Sequence, residues 1–500
     1  MKRIGSYLLI SCFVFFLISG SCFAQIYTIT NLGTSSSPKA INSTGEVTGN
    51  VNGHAFLWSS SSDLQDLGTL VGGTFSGATA INDLGHVSGT ADGPATTFDE
   101  WGNEVQCSNF IQPFVWTQAG AMQGLGAPQS LPPYLYVYLR GCAGPYYYGT
   151  GINILDQVVG YSDLYATFQW GVVGTQADGI TLFGGNWPPT YINGISNAGQ
   201  IVGQNATYPK SLFLGHATSW QNGAQTDLGT LGGADDLGYP VGYSSSATGI
   251  NDIGQVVGWS TTVPVYENWY GWYGQAPIHA VLWTNGAMRD LGTLSGDTFS
   301  AAAKINSYGQ VVGASGNSAG PEDRYRVLGR PFIWSDSSGM TDLNNLIPFD
   351  SGWVLTSATD INASGKIVGE GTLNGQSSGF LLTPIYQAFV QQPINADGSS
   401  VFKGKRGALP VKFTLTQNNL PTCALPAATI AVTRTAGAMV GSIDVSVYST
   451  NADDGSNFRI DPSTCQYTYN VGAAALGVGT YRADISISGI MVGHAVFGLK

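Results

Sequence analysis

INDIGQVVG (250–258) decides how this chain folds, because it is one of seven near-copies. The pattern IN-x-x-G-x-V-V-G, with small variations, begins at Ile41, Ile81, Ile152, Ile195, Ile250, Ile305 and Ile361. Every copy closes on glycine: Gly49, Gly89, Gly160, Gly203, Gly258, Gly313 and Gly369. Successive copies start 40, 71, 43, 55, 55 and 56 residues apart. A self-similar unit of this size points to a propeller, a solenoid or an array.

Four short apolar segments make up each unit. The first ends at the Ile-Asn pair and the second is the GxVVG run. The third ends in an aromatic, as in HAFLW (54–58), PFVW (113–116), HAVLW (279–283) and PFIW (331–334). The fourth resembles DLGTL, complete at 66–70, 227–231 and 290–294. Segments this short, rich in β-branched and aromatic residues and divided by Gly, Asn and Ser, read as strands. The IN-x-x-G piece reads as a tight turn, with Gly supplying positive φ. The third copy has Asp156 in that slot, and Asp enters the left-handed region more readily than most residues. The final Gly of VVG lets a strand bend or another backbone approach.

One unit is split between the two ends of the repeat region. YTITNLGT (27–34) looks like a fourth strand without a preceding three, and the seventh unit stops at Pro384 after its third. The early strand therefore completes the late blade. The expected fold is all-β: a seven-bladed β-propeller over residues 25–384, closed by its N-terminal strand. Closure removes the exposed edges of an open array.

The opening MKRIGSYLLISCFVFFLISGSCFAQ has a basic start, an apolar core and small residues before a cut. It reads as a signal peptide, residues 1–24. A lipobox at Cys12 or Cys22 fits less well, since Cys12 lies within the apolar core and Cys22 lacks an upstream Leu at the right offset. No other stretch is long and apolar enough to span a membrane. Cleavage removes Lys2 and Arg3 and takes the net charge from −12 to −14. An acidic chain without a basic patch is a poor match to nucleic acid. Four cysteines remain, and their spacing in an exported chain pairs Cys107 with Cys142 and Cys423 with Cys465.

The INxxGxVVG, HAFLW and DLGTL segments recur in fixed order over residues 26–384. In this they resemble the HAF-type extracellular repeats of bacteria, with His54-Ala55-Phe56 as the naming run. The resemblance implies a secreted or surface protein and carries no established chemistry. Residues 385–398 form a linker or a first strand. Beyond it, 399–500 hold about seven alternating segments, among them ALPVKFTL, SIDVSVYS and GTYRADISI. Pro410-Val411-Lys412-Phe413 and the closing Gly498-Leu499-Lys500 resemble the PxKF domain of exported bacterial proteins. That resemblance implies a small immunoglobulin-like β-sandwich as an accessory module.

Loop length points to the functional face. First-to-second and third-to-fourth turns share one face of a propeller and are short throughout. Second-to-third loops and interblade links share the other face and carry nearly all the insertions, which in repeat proteins marks the binding side. A Cys107–Cys142 bond ties two of those insertions together. The insertions are rich in aromatics, and the candidate ligand-binding residues are Tyr136, Tyr138, Tyr147, Trp187, Tyr266, Trp269, Tyr270, Trp272 and Tyr273. Aromatic faces with few charges suit sugar rings or a protein partner. The competing reading is that these loops pack on one another.

His54, His216 and His279 recur at equivalent blade positions, so they serve structural hydrogen bonds within separate blades. Asp66, Asp227 and Asp290 read as turn or cap residues. Asp235-Asp236 and NADDGSN (451–457) offer oxygens for calcium but follow no established loop pattern. No metal or cofactor is expected, and the chain is expected to be a monomer. The function expected is non-catalytic recognition of a glycan, a polysaccharide or a surface protein. The alternative is a secreted hydrolase or lyase acting on polysaccharide, for which two carboxylates about 5–10 Å apart in the central funnel would speak.

Overall fold

The computed structural model describes residues 27–99, 101–128, 142, 146–163, 169–183, 190–206, 215–232, 241–266, 276–319, 327–336, 338–404, 407–417, 420–423, 426–438, 451–487 and 490–500. The expected signal peptide lies outside them.

Seven four-stranded antiparallel sheets follow one another around a ring. Blade one comprises Ser37–Ile41, Val47–Val51, His54–Ser59 and Asp63–Asp66. Blade seven comprises Trp353–Ile361, Ile367–Leu373 and Gln376–Pro384, and takes Tyr27–Thr34 as its outer strand. Thr28 sits opposite Thr383 and Thr30 opposite Leu381, so the ring closes through the N-terminal strand.

The Val-Val pair explains why these sheets stack radially. Successive residues of a strand face opposite sides. Val158 packs into the core between blades two and three, while Val159 packs into the core between three and four. Val256 and Val257, Val311 and Val312, and Ile367 and Val368 divide in the same way between their two neighbours. Both residues are buried because each sheet is covered on both faces. Burial of one such side chain contributes roughly 1.5–3 kcal/mol.

Each terminal Gly of VVG faces the first strand of its own blade at close range. A Cβ on Gly160 would lie 1.7 Å from the Tyr148 carbonyl oxygen, and one on Gly258 would lie 1.9 Å from that of Ser246. The first strand carries a bulge beside each of the seven glycines, for example between Ala247 and Gly249. Close approach, not bending of the second strand, is therefore the reason for glycine. Asp156 adopts φ +57° in the turn slot where other copies carry glycine.

Asparagine side chains lace the blades together. Asn42 Nδ2 donates to the Asn82 carbonyl, Asn82 to that of Asn153, and Asn153 to that of Ser196. Asn251 donates to Asn306, Asn306 to Asn362, and Asn362 back to Asn42. The fourth copy has Ser196 in this place and supplies no such bond; there Asn197 instead donates through its backbone and side chain to Asp252.

Two boundaries differ from the sequence reading. The outer strands begin before DLGTL: in blade one the strand is Asp63–Asp66, with Leu67 and Leu70 following as buried residues of the exit turn, and in blades four and five Ala224–Gly229 and Ala287–Gly292 end on the Gly of the motif. The blade-two insertion is not a loose loop, because Val87–Phe98 and Glu104–Thr117 pair out to Phe98 opposite Glu104. Of the two readings of 385–398, the structure shows the first strand: Tyr386–Gln391 pairs along Ala408–Gln417.

The C-terminal part has two sheets around one core. Phe413 lies stacked on Tyr467 with centroids 4.4 Å apart, and Phe458 meets both rings edge-on. SIDVSVYS (442–449) falls outside the described residues. Both disulfides join the cysteines paired from the sequence, Cys107–Cys142 and Cys423–Cys465. Such bonds belong to an oxidising compartment. No helix among the described residues is long and apolar enough to cross a membrane.

Candidate functional site

The innermost strand of each blade lines the axis of the ring, and its residues set the chemistry there. Two positions before the motif Ile stand Lys39, Thr79, Thr150, Asn193, Thr248, Ala303 and Thr359. Thr79 Oγ1 donates to the Gly149 carbonyl at 2.9 Å, Thr150 to that of Ile192 at 2.8 Å and Thr248 to that of Ala302 at 2.8 Å. Asn193 Nδ2 donates to the Ala247 carbonyl and Thr359 Oγ1 to that of Pro38. A threonine hydroxyl that donates keeps its acceptor capacity. The collar thus offers hydroxyl oxygens to whatever enters the axis.

On the insertion side this axis opens as a funnel of about 460 Å³. Lys39, Thr79, Thr150, Thr248, Trp259, Lys304, Thr359 and Glu370 are among its lining. That volume is within the roughly 300–1,000 Å³ of small-molecule clefts. A separate opening of about 230 Å³ on the turn side is lined by all seven motif isoleucines and by Asn42, Asn82, Asn251, Asn306 and Asn362.

Charge enters the funnel at the last blades. Lys39 Nζ reaches Glu370 Oε1 at 3.2 Å, and the Ser37 hydroxyl donates to the same oxygen. Asp360 accepts from Ile41 N at 3.0 Å and Ile361 N at 2.8 Å. Burial pushes its carboxyl up to about 6, against the opposing pull of Lys304 and the two N–H groups. Burial likewise holds Lys304 below the ordinary lysine value, with Asp360 acting the other way. Lys304 and Asp360 occupy the slot just before the motif Ile, where the other copies have Ala40, Ala80, Gly151, Gly194 and Gly249. Neither was singled out from the sequence. Aligning the seven copies and asking which slot alone gains a charge would have found both.

A row of tyrosines occupies blades three and four at the same level. Tyr148 precedes Ile152 by the interval at which Ala301 precedes Ile305, and Tyr161 follows Gly160 as Trp259 follows Gly258. The rings of Tyr148 and Tyr161 stack with centroids 5.1 Å apart, and Tyr191 lies 5.9 Å beyond Tyr161. All three are half-buried. Burial, and then the neighbouring Asp163 and Tyr146, raise the Tyr148 hydroxyl above its ordinary value.

Of the residues proposed from the sequence, Tyr147 is corrected. It is 1% exposed and packs 5.8 Å from Phe110 in the core between blades two and three. Strand alternation sends Tyr146 and Tyr148 one way and Tyr147 the other. Tyr266 pairs with Val241 in a small ribbon that joins the blade-five insertion to the preceding link. Tyr136, Tyr138, Trp187, Trp269, Tyr270, Trp272 and Tyr273 lie outside the described residues. Trp101, at the tip of the blade-two hairpin, is 78% exposed.

The recurrent histidines do not converge. His54, His216 and His279 each hold, through Nδ1, the Asp at the end of the adjacent outer strand at 2.8–2.9 Å: Asp66, Asp227 and Asp290. Burial raises Asp227, but the His216 bond and the Gly229 N–H outweigh it and leave the carboxyl below its usual range. Among the described residues no group of three or more His, Cys, Asp or Glu could hold a metal.

No family model matches this chain, and no curated protein matches it. Among solved structures it is similar to virginiamycin B lyase from Staphylococcus aureus, over 71% of this chain and 98% of that one, with TM-score 0.38 and 10% identity.

Proposed function

We propose that this is an exported recognition protein that binds a glycan through the insertion side of its propeller. The observation that carries the reading is the Tyr148–Tyr161–Tyr191 row set at the level of the funnel wall. Tyrosine faces stack on the apolar faces of sugar rings while their hydroxyls stay available for polar contacts. The threonine collar supplies acceptors for sugar hydroxyls, and the Cys107–Cys142 bond braces the neighbouring hairpin. The C-terminal module, immunoglobulin-like in this reading, sets His494 against Tyr308 of a blade-six turn, beside Pro384 of blade seven, on the far side of the ring. It tethers the propeller without covering the funnel. The likeness of the repeats to HAF-type extracellular units and the apolar leader agree with a secreted or surface location.

A polysaccharide hydrolase or lyase would want two carboxylates in the funnel. Glu370 is the carboxylate among its described lining, and it is held by Lys39 and Ser37. A glycan array run beside a surface-protein pulldown tests the proposal, with Tyr161→Ala and with Trp269→Ala/Trp272→Ala. Glycan binding that falls at least about tenfold in Tyr161→Ala, or about 1.4 kcal/mol, supports it. Capture of a protein with no glycan retained, or depolymerisation of the array sugars, overturns it.

A further inference from the structure

Lys304 is a funnel-lining charge with little to hold it. Its ammonium has three protons to donate, and the structure supplies one contact, 3.4 Å to the Thr248 carbonyl. Among the described residues no carboxylate oxygen lies within the 4.0 Å of an ion pair from it. Asp360 acts on it electrostatically but makes no direct ion pair with it, its two oxygens each accepting an N–H, from Ile41 and Ile361. Glu370 is neutralised by Lys39. A half-buried ammonium without a direct ion pair loses part of its hydration uncompensated. It is tolerable where a guest brings the counter-charge.

Resting on the glycan reading above, we propose that the funnel takes an acidic sugar, a uronate-bearing oligosaccharide, with its carboxylate on Lys304 Nζ. The ring face then lies toward Tyr148 and Tyr161, and the hydroxyls meet Thr150 and Thr248. A neutral sugar of the same shape would fill the same space, displace its water and leave the ammonium with only the indirect influence of Asp360. Selectivity for acidic sugar over its uncharged analogue follows from that difference. The net charge, −14 once the expected signal peptide is removed, repels a polyanion at long range, so the attraction is local to the funnel and binding tightens only on entry.

Calorimetric titration of the full exported chain with trigalacturonate, its methyl ester and neutral cellotriose tests this. The free acid should bind about tenfold more tightly than the ester, the equivalent of about 1.4 kcal/mol. Lys304→Met should erase the difference, and about 0.5 M NaCl should shrink it. Equal binding of acid and ester overturns the inference and leaves the glycan reading standing. Binding of none of the three sugars overturns the inference, and the array result then decides the broader reading separately. The comparison of acid with ester uses the unmodified protein, so a Lys304→Met chain that fails to fold does not blunt the test.

Discussion

Asn251 works in two directions. Its Oδ1 accepts from Gln255 N at 2.9 Å and so closes its own turn, while its Nδ2 donates to Asn306 in the next blade. The turn role was legible in the sequence, since Asn is a turn residue. The bridging role was not, because the partner is a backbone carbonyl 55 residues away and leaves no mark on residue type. Ser196 shows what the bridge contributes, because its short side chain supplies no such bond. Ser196→Asn should complete the belt and stabilise the protein by about 0.5–1.5 kcal/mol, the net value of a hydrogen bond. Asn251→Ala should destabilise it by roughly 1–3 kcal/mol, since a buried carbonyl loses its donor. Urea denaturation of the two variants against the parent chain reads both; a Ser196→Asn midpoint below that of the parent would refute the belt.

At the scale of elements, the paired strands one and two of each blade depend on contact with no side chain between them. Gly258→Ala would drive a Cβ into the Ser246 carbonyl oxygen. Overpacking typically costs about 1–3 kcal/mol, and a backbone obstacle cannot swing aside, so a value at the upper end is expected. Gly437→Ala is the control, with nothing within 4 Å of its Cβ position; it should stay within about 0.5 kcal/mol of the parent. Thermal melts of the pair distinguish contact from general glycine flexibility. Elements were readable where pattern and geometry coincide: the seven turns, the split blade and the cysteine pairs. They were misread where the motif and the hydrogen-bonded strand part company. DLGTL recurs because Asp66 is held by His54 and accepts from Gly68 N, with Leu67 and Leu70 buried beyond. It therefore marks the end of the outer strand and its exit from the sheet, and the strand itself begins earlier. Tyr147 was misread because three consecutive tyrosines look alike in a sequence while a strand turns the middle one inward.

For the whole molecule, the joint between propeller and C-terminal module should respond to acid. His494 lies with its ring 3.9 Å from that of Tyr308 at a blade-six turn. Burial, and then Arg482, hold it down at about 4, against an ordinary value of 6.5. A depressed value means that the docked state favours neutral histidine. Its contribution is therefore complete above about pH 6.5 and is lost as pH falls from there through 4. Hydrogen exchange at residues 307–310 should be slow at pH 7.5 and, corrected for intrinsic rates, faster at pH 5. His494→Phe should flatten that dependence; the same pH dependence in the variant would place its origin elsewhere.

The seal of the ring sets an order of events. Thr28 Oγ1 donates to the Thr383 carbonyl, a partner 355 positions later. The segment that locks the wheel thus precedes every blade it closes and must wait, unpaired, until blade seven has been synthesised. Contacts between such distant positions slow folding. Under the exported location proposed above, that delay would keep the latch open until the far end has crossed.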